Sequence, residues 1–361
     1  MSNDSFLSEQ VITYLGNKRK LLGEISREVE SCLSELGVER ARCCDLFSGS
    51  GVVARMLKRY STCLYVNDLE EYSYVINDCY LTNRCDFNEE FYDDLYRDIM
   101  SRDLIEGVIT RNYAPIDDDA IMEGERVFYT HRNAMIIDTI RTAVDDIPLS
   151  YRKYFIAPLL YEASVHTNTS GVFKGFYKSK SENVGKFGGD GANALERIKG
   201  EIVLRKPVFS MYDSDVMLFK EDANVLVKHL QGIDITYIDP PYNQHPYGSN
   251  YFMLNTIIDN KVGENISKVA GIPEGWNKSQ YNRKRDALSA FEELVNDIDS
   301  KYLIISYNNE GFISFEEMSD MLSRYGELKV NKIDYVVFRG SRNLKDRNIR
   351  TTEYLFVLRK C

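Results

Sequence analysis

The chain predicts an α/β fold, a mixed and doubly wound sheet interrupted by a mostly helical insertion. Two strand, loop and helix steps follow one another, Cys43 to Tyr60 and then Cys63 to Tyr80, and successive βα steps imply neighbouring parallel strands. From about Cys85 to Lys206 strand-like runs give way to long amphipathic stretches. After residue 206 short apolar runs and helical patterns alternate again, closing with two consecutive strands. These changes of pattern divide the chain into a first α/β part (1–84), a helical insertion (85–206) and a second α/β part (207–361).

Taken in order, Tyr14 to Leu22 reads as a glycine turn, a basic residue and a helix start. Cys43 to Phe47 is a buried-looking strand, and Ser48-Gly49-Ser50-Gly51 opens onto a helix from Val52 to Tyr60. A second strand, Cys63 to Val66, ends in Asn67-Asp68, and Glu70 to Tyr80 is helical. Within the insertion, helices are expected over Asn88 to Glu106, Ala120 to Asp146 and Tyr151 to His166, followed by a polar Gly/Lys segment. Beyond it come a strand at Val208 to Tyr212, a helix at Glu221 to Leu230 and a strand at Ile235 to Ile238. A polar loop from Asn243 to Lys284 leads to helices at Arg285 to Asp299 and Phe315 to Tyr325, which flank a strand at Tyr302 to Ser306. Strands at Leu328 to Phe338 and Glu353 to Leu358 end the chain.

With 361 residues and 43% hydrophobic content the chain has enough apolar matter for a large packed core. No run approaches the ~18 apolar residues of a membrane span, and Met1 to Gln10 lacks a signal-peptide pattern, so a cytoplasmic protein with no membrane partner is expected. The seven cysteines form no C-x-x-C pair and the four histidines are scattered, which predicts neither a metal site nor a disulfide framework. Net charge is −10, yet its distribution is uneven. Thirteen acidic residues lie between Asp86 and Glu125, whereas nine Lys/Arg lie between Lys329 and Cys361. Arg339, Arg342, Lys345, Arg347 and Arg350 form a cluster that suits either phosphate contact or a solvated face.

Two motifs carry chemistry. Gly49-x-Gly51-x-x-Ala54 after a strand, with Asp68 at the end of the next, fits a nucleotide fingerprint: the glycines admit a ligand to the backbone and the acid accepts from ribose hydroxyls. This loop alone does not choose between a nicotinamide dinucleotide and S-adenosylmethionine. Phe47 suits packing on an adenosyl or methionyl moiety, or plugging the core. Lys18 is placed to reach a ligand carboxylate, or simply begins a helix. The second motif is Asp239-Pro240-Pro241-Tyr242. The prolines remove two donors and hold the chain extended, so the Asp239 carboxylate and the Pro240 carbonyl project as acceptors beside the Tyr242 ring. That set suits a planar heterocycle bearing an exocyclic amino group.

Together, Y-L-G-N-K-R-K-L-L at 14–22, D-L-F-S-G-S-G at 45–51, N-D at 67–68 and Y-I-D-P-P-Y at 237–242 resemble, in that order, the Dam-like alpha group of DNA adenine methyltransferases. The resemblance implies a Rossmann-like S-adenosylmethionine-dependent fold whose helical insertion recognises the target in double-stranded DNA. It also implies a restriction-modification setting with a cognate endonuclease as possible companion. By the same resemblance Tyr14, Gly16, Lys18, Asp45, Phe47, Gly49, Gly51 and Asp68 line the cofactor pocket, and Asp222 faces the cofactor adenine. Asp239 and Pro240 would grip the amino group of a flipped-out base while Tyr242 stacks on it. Tyr247, Asn250 and Tyr251 stand on the adjoining loop, either touching DNA or packing it. A cytosine-amino methyltransferase is the nearest alternative; a nicotinamide oxidoreductase and a non-catalytic DNA-binding module are more remote.

Overall fold

The structure, a computed structural model, describes residues 3–179, 183–189, 194–336 and 350–361. Its centre is a seven-stranded sheet: β1 (Ala41–Asp45), β2 (Ser61–Asn67), β3 (Asp215–Phe219), β4 (Ile233–Ile238), β5 (Ser300–Asn308), β6 (Gly326–Val336) and β7 (Arg350–Lys360). The spatial order is β3-β2-β1-β4-β5-β7-β6. The first five strands run parallel, and β7 enters antiparallel between β5 and β6. This is the mixed, doubly wound α/β architecture that the alternation of strands and helices predicts.

Strand alternation sorts the core into two layers. Ile235 and Tyr237 of β4 pack with Cys43, Leu64 and Ile304 against the helices Leu22–Leu36 and Val52–Leu57. Ile238 of the same strand joins Cys44, Leu303 and Phe356 on the opposite face, against the helices Ala287–Asp297 and Phe315–Leu322. Successive side chains of a strand point to opposite faces, so both faces of β4 are covered and its end alone meets solvent. Helix Leu22–Leu36 earns its place through Ile25, Val29, Cys32 and Leu33, all buried along one face, and stops at Gly37 in the left-handed conformation (φ 70°). Helix Phe315–Leu322 begins with a reciprocal capping box between Ser314 and Glu317.

A third apolar cluster is almost wholly helical. It joins Ile99, Ile109, Phe128, Ile137, Phe155 and Leu160 to Tyr72 and Ile76 of helix Glu71–Tyr80 and to Phe252, Leu254 and Ile257 of helix Phe252–Asp259.

Several element assignments require correction. The helix expected over Ala120 to Asp146 begins only at His131, and the one expected over Glu221 to Leu230 is the short Ala223–Leu226. Val208 to Tyr212 is not a strand; Val208 and Phe209 are buried against the helical cluster in irregular backbone. The pairing strand is β3, a half-exposed edge strand whose own apolar run, Val216 to Phe219, lies just beyond the one expected to form the strand. The stretch Asn243 to Lys284 is not all loop either, because Phe252–Asp259 is an apolar helix that fills the third cluster.

Candidate active site

β1 and β4 lie side by side, and the winding reverses between them: β2 and β3 follow on one side, β5 and β7 on the other. A crevice opens beyond the carboxyl ends of two strands at such a switch point. Asp45 is paired with Tyr237 in register, and Leu46 N donates to Tyr237 O at 3.1 Å. The turn after β1 and the Asp-Pro-Pro-Tyr segment after β4 are thereby brought together. Both open into one cleft of about 890 Å³, solvent at its mouth included, which is also lined by Tyr14, Lys18, Asp68, Asp222, Tyr247 and Tyr281.

The glycine loop is shaped by the protein as well as for a ligand. Gly49 and Gly51 have φ of 50° and 76°, where side chains other than glycine are strained. A Cβ at Gly49 would stand 2.9 Å from the Tyr14 ring, and one at Gly51 would stand 2.7 Å from Asn77 Oδ1. The Asp68 carboxylate accepts from Gly49 N at 2.7 Å and from Glu70 N at 2.9 Å, so it pins the loop to the end of β2. Asp45 differs. Its carboxylate is fully buried, and no hydrogen bond closes on either oxygen among the described residues. Burial, with Asp239 and Asp68 nearby, pushes its pKa well above the carboxylate range.

The opposite wall is aromatic and polar. Phe47 meets Tyr281 edge to face at 5.4 Å, and Tyr281 donates to Asn224 Oδ1 at 2.7 Å. Asp222 caps the short helix Ala223–Leu226 by accepting from Asn224 N at 2.9 Å. Asn277 closes the rim, donating to Leu69 O at 2.9 Å, and Asn282 ties this wall to the catalytic turn by donating to Asn243 O at 2.7 Å.

At the tip of β4, Asp239 is 18% exposed. The Lys18 ammonium stands 3.0 Å from its Oδ1 and 3.2 Å from Oε1 of Glu353. Burial opposes the Lys18 charge, but Asp239 and Glu353 outweigh it and hold its pKa well above the usual value. Burial raises the Asp239 carboxyl to about 6, with Lys18 pulling down and Glu353 pushing up. Lys18, expected to reach a ligand carboxylate, lines the cleft while its ammonium engages two protein carboxylates. Among the described residues no donor closes on the Pro240 carbonyl. Pro241 lines the cleft, and the backbone of Tyr242 is held by Phe312 N at 3.0 Å from its carbonyl.

The Tyr14 ring stacks against two others, with centroids 4.9 Å from Tyr247 and 4.6 Å from Tyr251. Leu15 N donates to the Tyr251 hydroxyl at 2.7 Å, and Gly16 turns at φ 74° with Tyr247 Oη 3.3 Å from where its Cβ would be. Asn250 and Tyr251, expected on a DNA-facing loop, are buried: the loop is helical there, and its packing on the Tyr14 segment takes them inside. Tyr247 stays at the cleft. Arg339, Arg342, Lys345 and Arg347 lie outside the described residues. Sequence reasoning did not single out Glu70, Asn277, Tyr281 or Glu353 as site residues. Only Glu353 left a trace, an acid heading the apolar run Tyr354 to Leu358.

The donor set fits a cofactor with a cationic amino group and an adenosyl moiety. An orphaned buried carboxylate at Asp45 suits the cation, and the Phe47–Tyr281 wall beside Asp222 suits a flat base carrying a donor. Among the described residues no group of three or more His, Cys, Asp or Glu could hold a metal ion, and no helix is long and apolar enough to cross a membrane.

A glycine loop at β1 and an Asp-Pro-Pro-Tyr acceptor at the neighbouring β4, on a sheet of this order, define a Rossmann-like methyltransferase acting on an amino group. The chain belongs to the D12 class N6 adenine-specific DNA methyltransferases, whose family model matches residues 14–321. It is 29% identical to the type II methyltransferase M.NlaIII of Neisseria lactamica, over 97% of this chain and 99% of that protein. Identity to the type II methyltransferase M.CviAII of Paramecium bursaria Chlorella virus 1 is 30%, covering 96% and 97%. Against the modification methylase StsI of Streptococcus sanguinis it is 28%, covering 96% of this chain and 52% of that one. The protein is thus an adenine-specific DNA methyltransferase that uses a methyl donor, and the cytosine, nicotinamide and non-catalytic alternatives fall away.

Proposed function

We propose that the methyl donor is S-adenosylmethionine, bound between the glycine loop and the Phe47–Tyr281 wall, and that the acceptor is an adenine flipped out of double-stranded DNA. The observation that carries this reading is the adjacency of Asp239 to the loop after β1 within one cleft. Asp45 faces the cofactor's amino group; Tyr14, Gly16, Phe47, Gly49, Gly51 and Asp222 complete its pocket, with Asp68 acting through the loop. When bound, the cofactor supplies an electrophilic methyl on sulfur.

The adenine amino nitrogen is a weak nucleophile because its lone pair is delocalised into the ring. Asp239 and the Pro240 carbonyl each accept one amino hydrogen, which favours a more tetrahedral nitrogen and stabilises the positive charge that develops on it. Pro241 keeps the carbonyl free of backbone pairing and Tyr242 stacks on the base. Flipping costs a few kcal/mol, and stacking returns about 1–3 kcal/mol. Residues 85–206 select the target sequence, Tyr247 meets the base or its neighbour, and Arg339, Arg342, Lys345 and Arg347 contact phosphates. The type II relatives support a companion endonuclease with the same target.

Incubation with labelled S-adenosylmethionine and duplex DNA, followed by nucleoside analysis, is expected to yield N6-methyladenine with the native enzyme and none with Asp239→Ala. A fully active Asp239→Ala would remove the reading.

A further inference from the structure

We infer that Glu353 is a positioning residue for methyl transfer, acting through Lys18 to hold the Asp239 carboxylate with one oxygen committed and the other free for the target amino group. The inference rests on the reading of Asp239 as that acceptor.

Glu353 comes from β7, where it pairs with Asn308 of β5, and reaches the catalytic edge because β7 runs against its neighbours. Its side chain is 1% exposed, and Ser306 Oγ donates to its Oε1. A carboxylate is not kept at such depth without a counter-charge, and Lys18, itself 5% exposed, lies 3.2 Å away. The same ammonium holds Asp239 Oδ1. Two carboxylates from distant segments therefore share one buried cation, and the balance between them decides how much negative charge Asp239 keeps for the base. If Lys18 served Asp239 alone, the pair would be a closed salt bridge with a weakened acceptor. Glu353 draws part of that cation away. Among the described residues the other titratable groups facing Asp239 are Tyr237 near the end of β4, Asp45 on β1, and Tyr242 and Tyr247 beyond the turn; none of these supplies a second cation.

The test is single-turnover methylation of preformed enzyme–DNA complexes at saturating S-adenosylmethionine, followed from pH 5 to 8. Glu353→Gln removes a negative charge, so the acid limb of the rate is expected to move to lower pH while the plateau falls by about tenfold or more. Lys18→Met is expected to move the limb the opposite way, and cofactor affinity should change little in either variant. An acid limb at the native position in Glu353→Gln overturns the inference, whatever happens to the plateau, because a merely structural role would leave it unmoved. Should Glu353→Gln fail to fold, Ser306→Ala and Lys18→Met decide in the same assay, an unmoved limb in both overturning it. Asp239→Asn, run alongside, separates the two claims: if it turns over normally the acceptor reading itself falls, and if it is inactive while Glu353→Gln is native-like only the present inference does.

Discussion

At the scale of single residues the proposed acceptor, Asp239, is a carboxylate that has to remain an anion where burial resists it. Replacing it by Asn should lower the single-turnover rate by at least about 10²–10³-fold, the scale of losing one charge-stabilising contact in a transition state, with cofactor affinity within about threefold by calorimetry. Its pKa of about 6 predicts a rate that falls as pH drops through 6, since only the ionised form accepts the amino hydrogen. The stability effect has the other sign. A folded pKa above the unfolded value of about 4 means that the folded state binds the extra proton, so this group favours folding increasingly as pH falls from 6 towards 4. Glu70, raised to about 7 by burial and by Asp68, acts in the same direction over a higher window, and an urea titration at pH 5 and 7.5 of native enzyme and Asp239→Asn isolates the Asp239 part. The place of Asp239 and Gly49 at the cleft was legible in the sequence because each stands in a short contiguous motif at a strand end. Glu353, Tyr281 and Asn277 were not, since each acquires meaning only from a partner far along the chain.

Among the elements, the segment around Tyr14 links cofactor loop and helical layer. Its ring stacks on Tyr247 and Tyr251, its hydroxyl lies 3.1 Å from that of Tyr72, and it fills the space that a side chain at Gly49 would need. Tyr14→Phe, which keeps the stack, should cost about 1 kcal/mol. Tyr14→Ala should cost about 3 kcal/mol and weaken S-adenosylmethionine binding, both measurable by thermal melts with and without the cofactor. Gly49→Ala adds about 1–2 kcal/mol of left-handed strain to a clash with that ring, so it is expected to lose cofactor affinity before it loses the fold. The strands that form the site, β1 and β4, were readable because both faces are buried and the sequence runs apolar. Edge strand β3 was not, because two short apolar runs stand close together, at Val208-Phe209 and at Val216 to Phe219, and only the pairing with β2 decides which is the strand. The buried places of Asn250 and Tyr251 were hidden for a related reason: polar loop composition says nothing about which helix will cover it.

For the molecule as a whole, assembly depends on buried charge holding distant segments. Arg55, 2% exposed, donates to the carbonyls of Phe6, Glu9 and Gln10 and lies over the Tyr80 ring at 3.9 Å. Arg55→Met should free this N-terminal segment and leave its carbonyls unpaired, costing about 3 kcal/mol or more, seen as a lower urea midpoint together with early amide exchange around residues 6–12. Thiol accessibility offers a second measure. Cys32, Cys43, Cys44 and Cys79 are buried whereas Cys85 and Cys361 are exposed, and burial pushes Cys32 and Cys43 up to about 12. Alkylation of the native enzyme is expected to label Cys85 and Cys361 first and the four buried thiols only in denaturant. The doubly wound plan and its helical interruption were visible in the order of patterns, while the antiparallel seating of β7 between β5 and β6 had no local signal. That seating has a temporal consequence. Position 18 leaves the ribosome well before position 353, so a nascent chain carries its lysine long before the acid that shares it.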